Sequence, residues 1–149
     1  MQKSYLALGC FWKPEETFRQ ITGVLETEVG YAGGNHGITS YEEVCTGKTG
    51  HTETVKLTFD EKIISYEKIL EIFFKIHDPT QKDMQYPDVG TQYRSEIFYE
   101  NEQQKKIAEK YKKKINEKSD KKIETNISKI KNYCKAEEYH QKYIMQRGL

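Results

Sequence analysis

SYLALGCFW, residues 4–12, is the most informative stretch of the sequence, because a short apolar strand gives way there to a helix. The predicted strand covers residues 4–8 and ends at Gly9, and Pro14 with the two glutamates after it is typical of a first helical turn. A helix start favours negative charge, and the thiolate is the reactive form of cysteine. Cys10 therefore lies where a nucleophile is expected, although a buried structural cysteine followed by core aromatics fits GCFW equally well.

Hydrophobic periodicity predicts strands and helices in mixed order after this segment. Residues 53–59 alternate apolar and polar side chains, and the apolar residues of 66–74 recur at helical spacing. The other predicted strands cover residues 24–31, 96–100 and 123–130. The other predicted helices cover residues 14–20, a short segment from Tyr41 that follows a capping box, residues 101–119 and residues 136–145.

These elements favour an α+β fold in a single domain that spans residues 1–149. The strands do not follow a strict βαβαβ repeat, and the period of two places Leu25 and Tyr31 on one face of their strand. The expected architecture is a two-layer α/β sandwich, a mixed sheet with helices packed on it around a ferredoxin-like core. One core explains the moderately apolar helices, so a monomer is expected.

Composition narrows the classes of function. The chain has 24 Lys and Arg residues against 23 Asp and Glu, so its formal net charge of +1 gives no reason to expect nucleic acid or a membrane surface as partner. No apolar run is long enough to span a bilayer and no signal-peptide pattern follows Met1, so a cytoplasmic protein is expected. The three cysteines form no Cys-x-x-Cys pair, which argues against a zinc site and for thiol chemistry.

Glu53 stands out because it shares a strand face with Val55, Leu57 and Phe59, the face expected to turn to the core. A carboxylate there is costly unless it is paired or protonated, and burial raises its pKa. A neutral Glu53 could donate a proton at neutral pH. An ordinary glutamate at an exposed strand start is the alternative, and parity alone does not decide between the two.

Three further polar residues lie beside glycines or in a long loop. Tyr31 ends its predicted strand before a glycine-rich loop, and Asp88 and Tyr93 lie in the predicted loop 79–95, whose length is typical of functional or disordered loops. The chain has eleven tyrosines, so any one of them is more often packed than catalytic. A site is predicted only if the thiol, the carboxyl group and the phenols converge.

Five motifs that occur in order give the sequence a family resemblance. They are GCFW at 9–12, GYAGG at 30–34, TGHTE at 49–53, GTQYRS at 90–95 and AEEYHQ at 136–141. Together they resemble the peptide methionine sulfoxide reductases of the A type, from residue 8 to about residue 143. The resemblance implies reduction of the S epimer of methionine sulfoxide, free or in proteins. It implies no bound cofactor and no metal, and an external thiol such as thioredoxin, glutaredoxin or glutathione as the reductant.

The resemblance also implies a role for each candidate residue. Cys10 would attack the sulfoxide sulfur, and Glu53 would donate a proton or hydrogen bond to the sulfoxide oxygen. The remaining roles are assistance to Glu53 by the hydroxyls of Tyr31 and Tyr93, binding of the substrate methyl group by Phe11 and Trp12, and support of substrate binding by Asp88.

The other cysteines leave the recycling step open. Many relatives carry recycling cysteines in a tail after the Tyr-His-Gln motif, and residues 142–149 contain none. Cys134 is a candidate resolving thiol or an idle residue, and Cys45 is expected to be a packed helix residue. Lys13 stands where relatives commonly have glycine. Two other functions fit some of the same residues, a general thiol peroxidase and a non-catalytic module that binds methionine-containing peptides.

Overall fold

The computed structural model describes all residues from 1 to 149. The eight strands, in chain order, are β1 (Gln2–Leu8), β2 (Val24–Ala32), β3 (Thr52–Phe59), β4 (Met84–Gln85), β5 (Asp88–Val89), β6 (Ser95–Tyr99), β7 (Asn126–Lys129) and β8 (Cys134–Lys135). The five α-helices are α1 (Trp12–Arg19), α2 (Tyr41–Cys45), α3 (Tyr66–Lys75), α4 (Glu102–Lys118) and α5 (Tyr143–Arg147). No helix is long and apolar enough to cross a membrane.

Six strands form one sheet in the order β7-β6-β1-β3-β2-β8. Its inner part, β6-β1-β3-β2, is antiparallel throughout and is built from the chain order β1, α1, β2, β3, α3, β6. This is the connectivity of a ferredoxin-like core. Because β7 joins β6 in parallel, the sheet is mixed, and the predicted α+β architecture is confirmed.

The helices cover one face of this sheet and enclose the main core. Register explains which strand residues meet them: Leu6 pairs with Val55 on one side and with Ile97 on the other, so all three side chains point to the same face. One buried cluster joins these residues to side chains from three helices, namely Phe18 of α1, Ile69, Leu70 and Phe73 of α3, and Ala108 of α4. A smaller cluster around Tyr5 and Phe98 covers part of the opposite face.

Two details of the predicted strands are wrong. A register shift between Val24 and Glu26 inserts an extra residue, so Leu25 is exposed while Tyr31 stays buried. The strand predicted at residues 123–130 covers only Asn126–Lys129, because Asn116 holds the backbone N–H of Ile123 with its side-chain oxygen and turns that residue out of the ladder.

The helix predicted at residues 136–145 is present only in its last part, because a side chain ties residues 136–141 to the edge of the sheet. The Gln141 amide accepts from the N–H of Val29 and donates to the carbonyl oxygens of Val29 and Ala136, at 2.9, 2.8 and 3.0 Å. Residues 136–141 therefore run beside β2 with only a short 3₁₀ turn at Glu138–His140, and α5 begins after Lys142, which has a φ of 48°.

Candidate active site

Cys10 lies in the turn between β1 and α1, as its sequence context predicts. Gly9 makes this turn possible: its φ is 96°, and a Cβ there would lie 2.9 Å from the Gln85 side chain. The sulfur of Cys10 is partly buried and receives a hydrogen bond from the backbone N–H of Trp12, the first residue of α1. The helix start therefore does present a donor to the thiol.

Glu53 comes to the same place from β3. It is 2% exposed, and its Oε1 accepts a hydrogen bond of 3.2 Å from the backbone N–H of Phe11, the residue that follows Cys10. The prediction that Glu53 lies on the core face of its strand is confirmed, because Glu53 faces the helical layer. The strand begins at Thr52, so Glu53 is not its exposed first residue. The structure thus brings the thiol and the carboxyl group together.

Burial sets the protonation of both groups. It raises the pKa of Glu53 to about 8, with a smaller increase from the charge of Asp88, and the Phe11 N–H only partly opposes it. Burial also raises the pKa of Cys10 to about 12, and the negative groups Glu53 and Asp88 add to this against the hydrogen bond from Trp12. Both groups are therefore protonated at neutral pH. The expectation that the helix start favours a resting thiolate is wrong, because desolvation outweighs one N–H donor.

Tyr31 is beside Glu53 in the sheet, but its hydroxyl is engaged elsewhere. The two residues are register partners on β2 and β3, and Tyr31 is fully buried. Its hydroxyl donates to Oε1 of Glu137 at 2.9 Å. The ring therefore belongs to the core around the site, and its hydroxyl is held by a carboxylate of the C-terminal segment.

Tyr41, the first residue of α2, is a site residue that the sequence reasoning missed. Its pKa is raised by a hydrogen bond with Cys45, by burial and by the nearby Tyr93 and Glu53. The charge of Glu53 acts on the Tyr41 hydroxyl, so Tyr41 belongs to the surroundings of that carboxyl group. The predicted capping box at Ser40 is confirmed, because the N–H of Glu43 donates to the Ser40 hydroxyl. The capping box fixes Tyr41 as the first residue of α2, and it is the one feature of the sequence that could have drawn attention to Tyr41.

Tyr93 and Asp88 reach the site from the loop between α3 and β6. Burial raises the pKa of Tyr93 to about 12, and the charges of Glu53, Cys45, Asp88 and Cys10 add to the increase, so Tyr93 belongs to the surroundings of the site. Arg94 holds this loop by donating to the carbonyl oxygens of Thr91 and Gly50, each at 3.0 Å.

Phe11 and Trp12 form an aromatic wall whose orientation is fixed. The Trp12 indole N–H donates to Nδ1 of His140 at 3.0 Å, and its ring stacks on Tyr143 with centroids 3.6 Å apart. Phe11 is buried, 5.8 Å from the Tyr31 ring and 5.2 Å from the His140 ring. Trp12 is partly exposed beside Cys10, whereas Phe11 belongs to the main core.

The other two cysteines occupy different surroundings. Cys134 lies in β8 opposite Tyr31, and its sulfur is 3.7 Å from the carbonyl oxygens of Thr39 and Lys135. The Tyr31 strand separates it from Glu53. Cys45 does end a helix, but it is exposed and not packed, because Val44 is the residue of α2 that turns inward.

Two grooves open beside the Cys10 sulfur. One, of about 420 Å³, has Asp88 and Pro87 on its far side, and the other, of about 610 Å³, is mainly apolar and has Trp12 and Tyr143 in its wall. Lys13 borders both grooves. The structure contains no group of three or more His, Cys, Asp or Glu side chains that could hold a metal ion.

A cysteine beside a protonated carboxyl group and an aromatic wall is typical of thiol-dependent oxidoreductases. The family model described as peptide methionine sulfoxide reductase matches residues 2–148. The chain is 57% identical over 147 residues to peptide methionine sulfoxide reductase MsrA of Pelagibacter ubique, and the match covers 99% of this chain and all of that protein. The chain belongs to the peptide methionine sulfoxide reductase family, and it is an oxidoreductase that reduces methionine sulfoxide, as its resemblance implies.

Solved structures agree with this membership. Methionine sulfoxide reductase A of Corynebacterium diphtheriae superposes with a TM-score of 0.88 at 33% identity, covering 99% of this chain and 76% of that chain. Mxr1 from Saccharomyces cerevisiae in complex with Trx2 superposes with a TM-score of 0.60 at 26% identity, covering 95% of this chain and 84% of that chain.

Proposed function

We propose that Cys10 reduces the S epimer of methionine sulfoxide, free or within proteins, with Glu53 as its proton donor. The observation that carries this proposal is the hydrogen bond of 3.2 Å from the Phe11 N–H to Glu53, which fixes a protonated carboxyl group next to the thiol. A sulfoxide sulfur becomes a good electrophile when its oxygen is protonated or strongly hydrogen-bonded. Glu53 supplies that proton where water is largely excluded.

The protonation states favour a transfer in which no charge accumulates. The Cys10 sulfur bonds to the sulfoxide sulfur, Glu53 gives its proton to the sulfoxide oxygen, and Glu53 takes the proton of the thiol. The oxygen then passes to Cys10 as methionine leaves, so the thiol becomes a sulfenic acid and the sulfoxide becomes a thioether. A buried neutral carboxyl group suits this exchange because it is both donor and acceptor, and a full charge there would be costly.

Two phenols assist Glu53 in this proposal. Tyr41 and Tyr93 both lie near Glu53 and keep their protons at neutral pH, so their hydroxyls donate to the sulfoxide oxygen. Such donors favour the transition state because the oxygen gains basicity as the S–O bond weakens. Tyr41 takes the donor role that the family resemblance assigned to Tyr31, whose hydroxyl is bound to Glu137.

The aromatic wall and Asp88 bind the rest of the substrate. Phe11 and Trp12 offer apolar surface for the methyl group, and the hydrogen bond to His140 prevents the Trp12 ring from turning away. Asp88 borders the groove at Cys10 and accepts hydrogen bonds from the polar part of the substrate. Residues 1–149 act as one catalytic unit in this account.

An external thiol regenerates the enzyme in our proposal. Thioredoxin is the favoured reductant, because the related Mxr1 was crystallised with Trx2, and glutaredoxin and glutathione are the alternatives. Cys134 is idle, since its sulfur faces two backbone carbonyls and the Tyr31 strand lies between it and Glu53. We also propose that the enzyme acts in the reducing cytoplasm, as a monomer and without a bound cofactor.

Reduction of separated S and R epimers of N-acetyl-methionine sulfoxide with dithiothreitol tests the proposed function. We expect turnover of the S epimer only, and none in Cys10→Ser. Faster consumption of hydrogen peroxide than of either epimer would indicate a thiol peroxidase. Binding of methionine-containing peptides that survives Cys10→Ser, without turnover, would indicate a binding module.

A further inference from the structure

Glu137 joins the C-terminal segment to both tyrosines that border Glu53. Its Oε1 accepts the hydroxyl of Tyr31 at 2.9 Å, and its Oε2 accepts the backbone N–H of Tyr41 at 3.0 Å. Tyr41 is the first residue of α2, so this second hydrogen bond holds the start of the helix from outside. No other carboxylate of the chain accepts a hydrogen bond from both tyrosines.

The helix α2 depends on such an anchor. It has five residues, too few for a helix that is stable by itself, and only Val44 among them is buried. The segments on either side of it carry glycines at 33, 34, 37, 47 and 50. The Tyr41 hydroxyl can point to Glu53 only while this short helix keeps its place.

Glu137 is itself fixed on the sheet. The N–H of Ala136 donates to the carbonyl oxygen of Val29 at 3.0 Å, and Gln141 binds both backbone groups of Val29. The carboxylate is ionised at neutral pH: burial would raise the pKa of Glu137, but hydrogen bonds from Tyr41, its own backbone and Tyr31 outweigh that effect and lower it. A charged acceptor makes the stronger hydrogen bond to the N–H of Tyr41.

We propose that Glu137 is a positioning residue that aims the Tyr41 hydroxyl at the sulfoxide oxygen. Glu137 connects α2 to β2, the strand beside Glu53. It thereby sets the distance between the Tyr41 hydroxyl and the Glu53 carboxyl group, the two proton donors. Glu137 does not touch the reacting atoms in this account. The inference rests on the proposed function, because it presupposes that Tyr41 donates to the substrate.

Glu137→Ala removes both hydrogen bonds and tests the inference. We expect a fall of about tenfold or more in the single-turnover rate of methionine release, with little change in KM, because a misplaced donor weakens the transition state. Glu137→Gln should restore most of the rate, since its amide oxygen accepts from Tyr41 and its NH₂ donates to the Tyr31 oxygen. Glu138→Ala is the matched control, an exposed neighbour paired only with Lys135, and its rate should equal that of the wild type.

A double-mutant cycle separates positioning from general structural damage. If Glu137 acts through Tyr41, Glu137→Ala costs little more rate once Tyr41→Phe is present. Independent, multiplying losses would overturn the inference, as would a wild-type rate in Glu137→Ala. If the alanine variant fails to fold, Glu137→Asp in the same cycle keeps the charge but cannot reach both partners. Failure of the proposed function would appear differently, in the wild type itself, as absent turnover of the S epimer or as faster consumption of hydrogen peroxide.

Discussion

Among the single residues of the site, Glu53 and Cys10 are the most important, because their surroundings determine whether each keeps its proton. Burial raises the pKa of Glu53 to about 8 and that of Cys10 to about 12, so the resting enzyme keeps both protons. A thiol in this state reacts slowly with ordinary electrophiles, because the thiolate is the nucleophile. The site is thus built to react only with a substrate whose oxygen accepts a proton.

Alkylation by iodoacetamide tests the state of Cys10. We expect Cys10 to be modified more slowly than the exposed Cys45 near neutral pH, with a rate that rises with pH and shows no plateau below the pKa of about 12. Peptide mass spectrometry of partly modified protein gives both rates in one sample. A Cys10 that reacts faster than Cys45 and reaches a plateau near neutral pH would show a resting thiolate.

Glu53→Gln should stabilise the protein at alkaline pH. The pKa of Glu53 is higher in the folded protein, about 8, than its ordinary value of 4.5, so folding binds a proton and wild-type stability falls between these two pH values and is constant above them. The glutamine keeps the acceptor for Phe11 without the ionisation. The gain in unfolding free energy should grow to about 4 kcal/mol by pH 8. Urea unfolding at several pH values measures it, and a constant difference would contradict the pKa.

Among the helices and strands, the conformation of some segments is set by side chains that are distant in sequence and not by the local hydrophobic pattern. The residues after Lys135 have a helical pattern, yet Gln141 replaces helix formation with two hydrogen bonds to Val29 at the edge of β2 and one to the carbonyl oxygen of Ala136. The neighbouring sequence predicts neither the direction of the Tyr31 hydroxyl nor the anchoring of α2, because both depend on Glu137, which is about a hundred positions away.

Gln141→Ala should loosen the C-terminal segment. It leaves the buried N–H of Val29 without its acceptor, which costs about 1–3 kcal/mol in unfolding free energy. The exposed Gln146→Ala is the matched control and should change little. Amide exchange should show faster opening at Val29 and in residues 136–141 only in the Gln141 variant, and equal protection in both variants would contradict this role.

Across the whole molecule, the sequence predicted the position of a site residue correctly where one face of a strand is buried or where a strand ends at a helix. The alternation of β3 correctly placed Glu53 on the core face, and the turn after β1 correctly placed Cys10 at a helix start. Protonation of Cys10 could not be predicted in this way, because it depends first on how far the folded chain buries the sulfur and then on the charges of Glu53 and Asp88. The direction of the Tyr31 hydroxyl could not be predicted either, because it depends on Glu137 of the C-terminal segment.

The position of the three cysteines in the fold predicts how the oxidised enzyme behaves. After one turnover without reductant, we expect Cys10 alone to be oxidised, because no other sulfur contacts it and Cys134 lies beyond Tyr31. Trapping with dimedone followed by peptide mapping under alkylating conditions measures this. The same experiment with Cys134→Ser should give the same result, and a Cys10–Cys134 or Cys10–Cys45 disulfide would contradict it.

The pH dependence of the first turnover tests the central claim, that a protonated Glu53 delivers its proton to the sulfoxide oxygen beside Cys10. The rate of methionine release from the S epimer should be level below about pH 8 and fall above it as Glu53 ionises. In Glu53→Gln the rate should be lower by about tenfold or more at neutral pH, and the fall above pH 8 should be absent. An unchanged profile in Glu53→Gln, or a wild-type rate in Glu53→Ala, would contradict the claim.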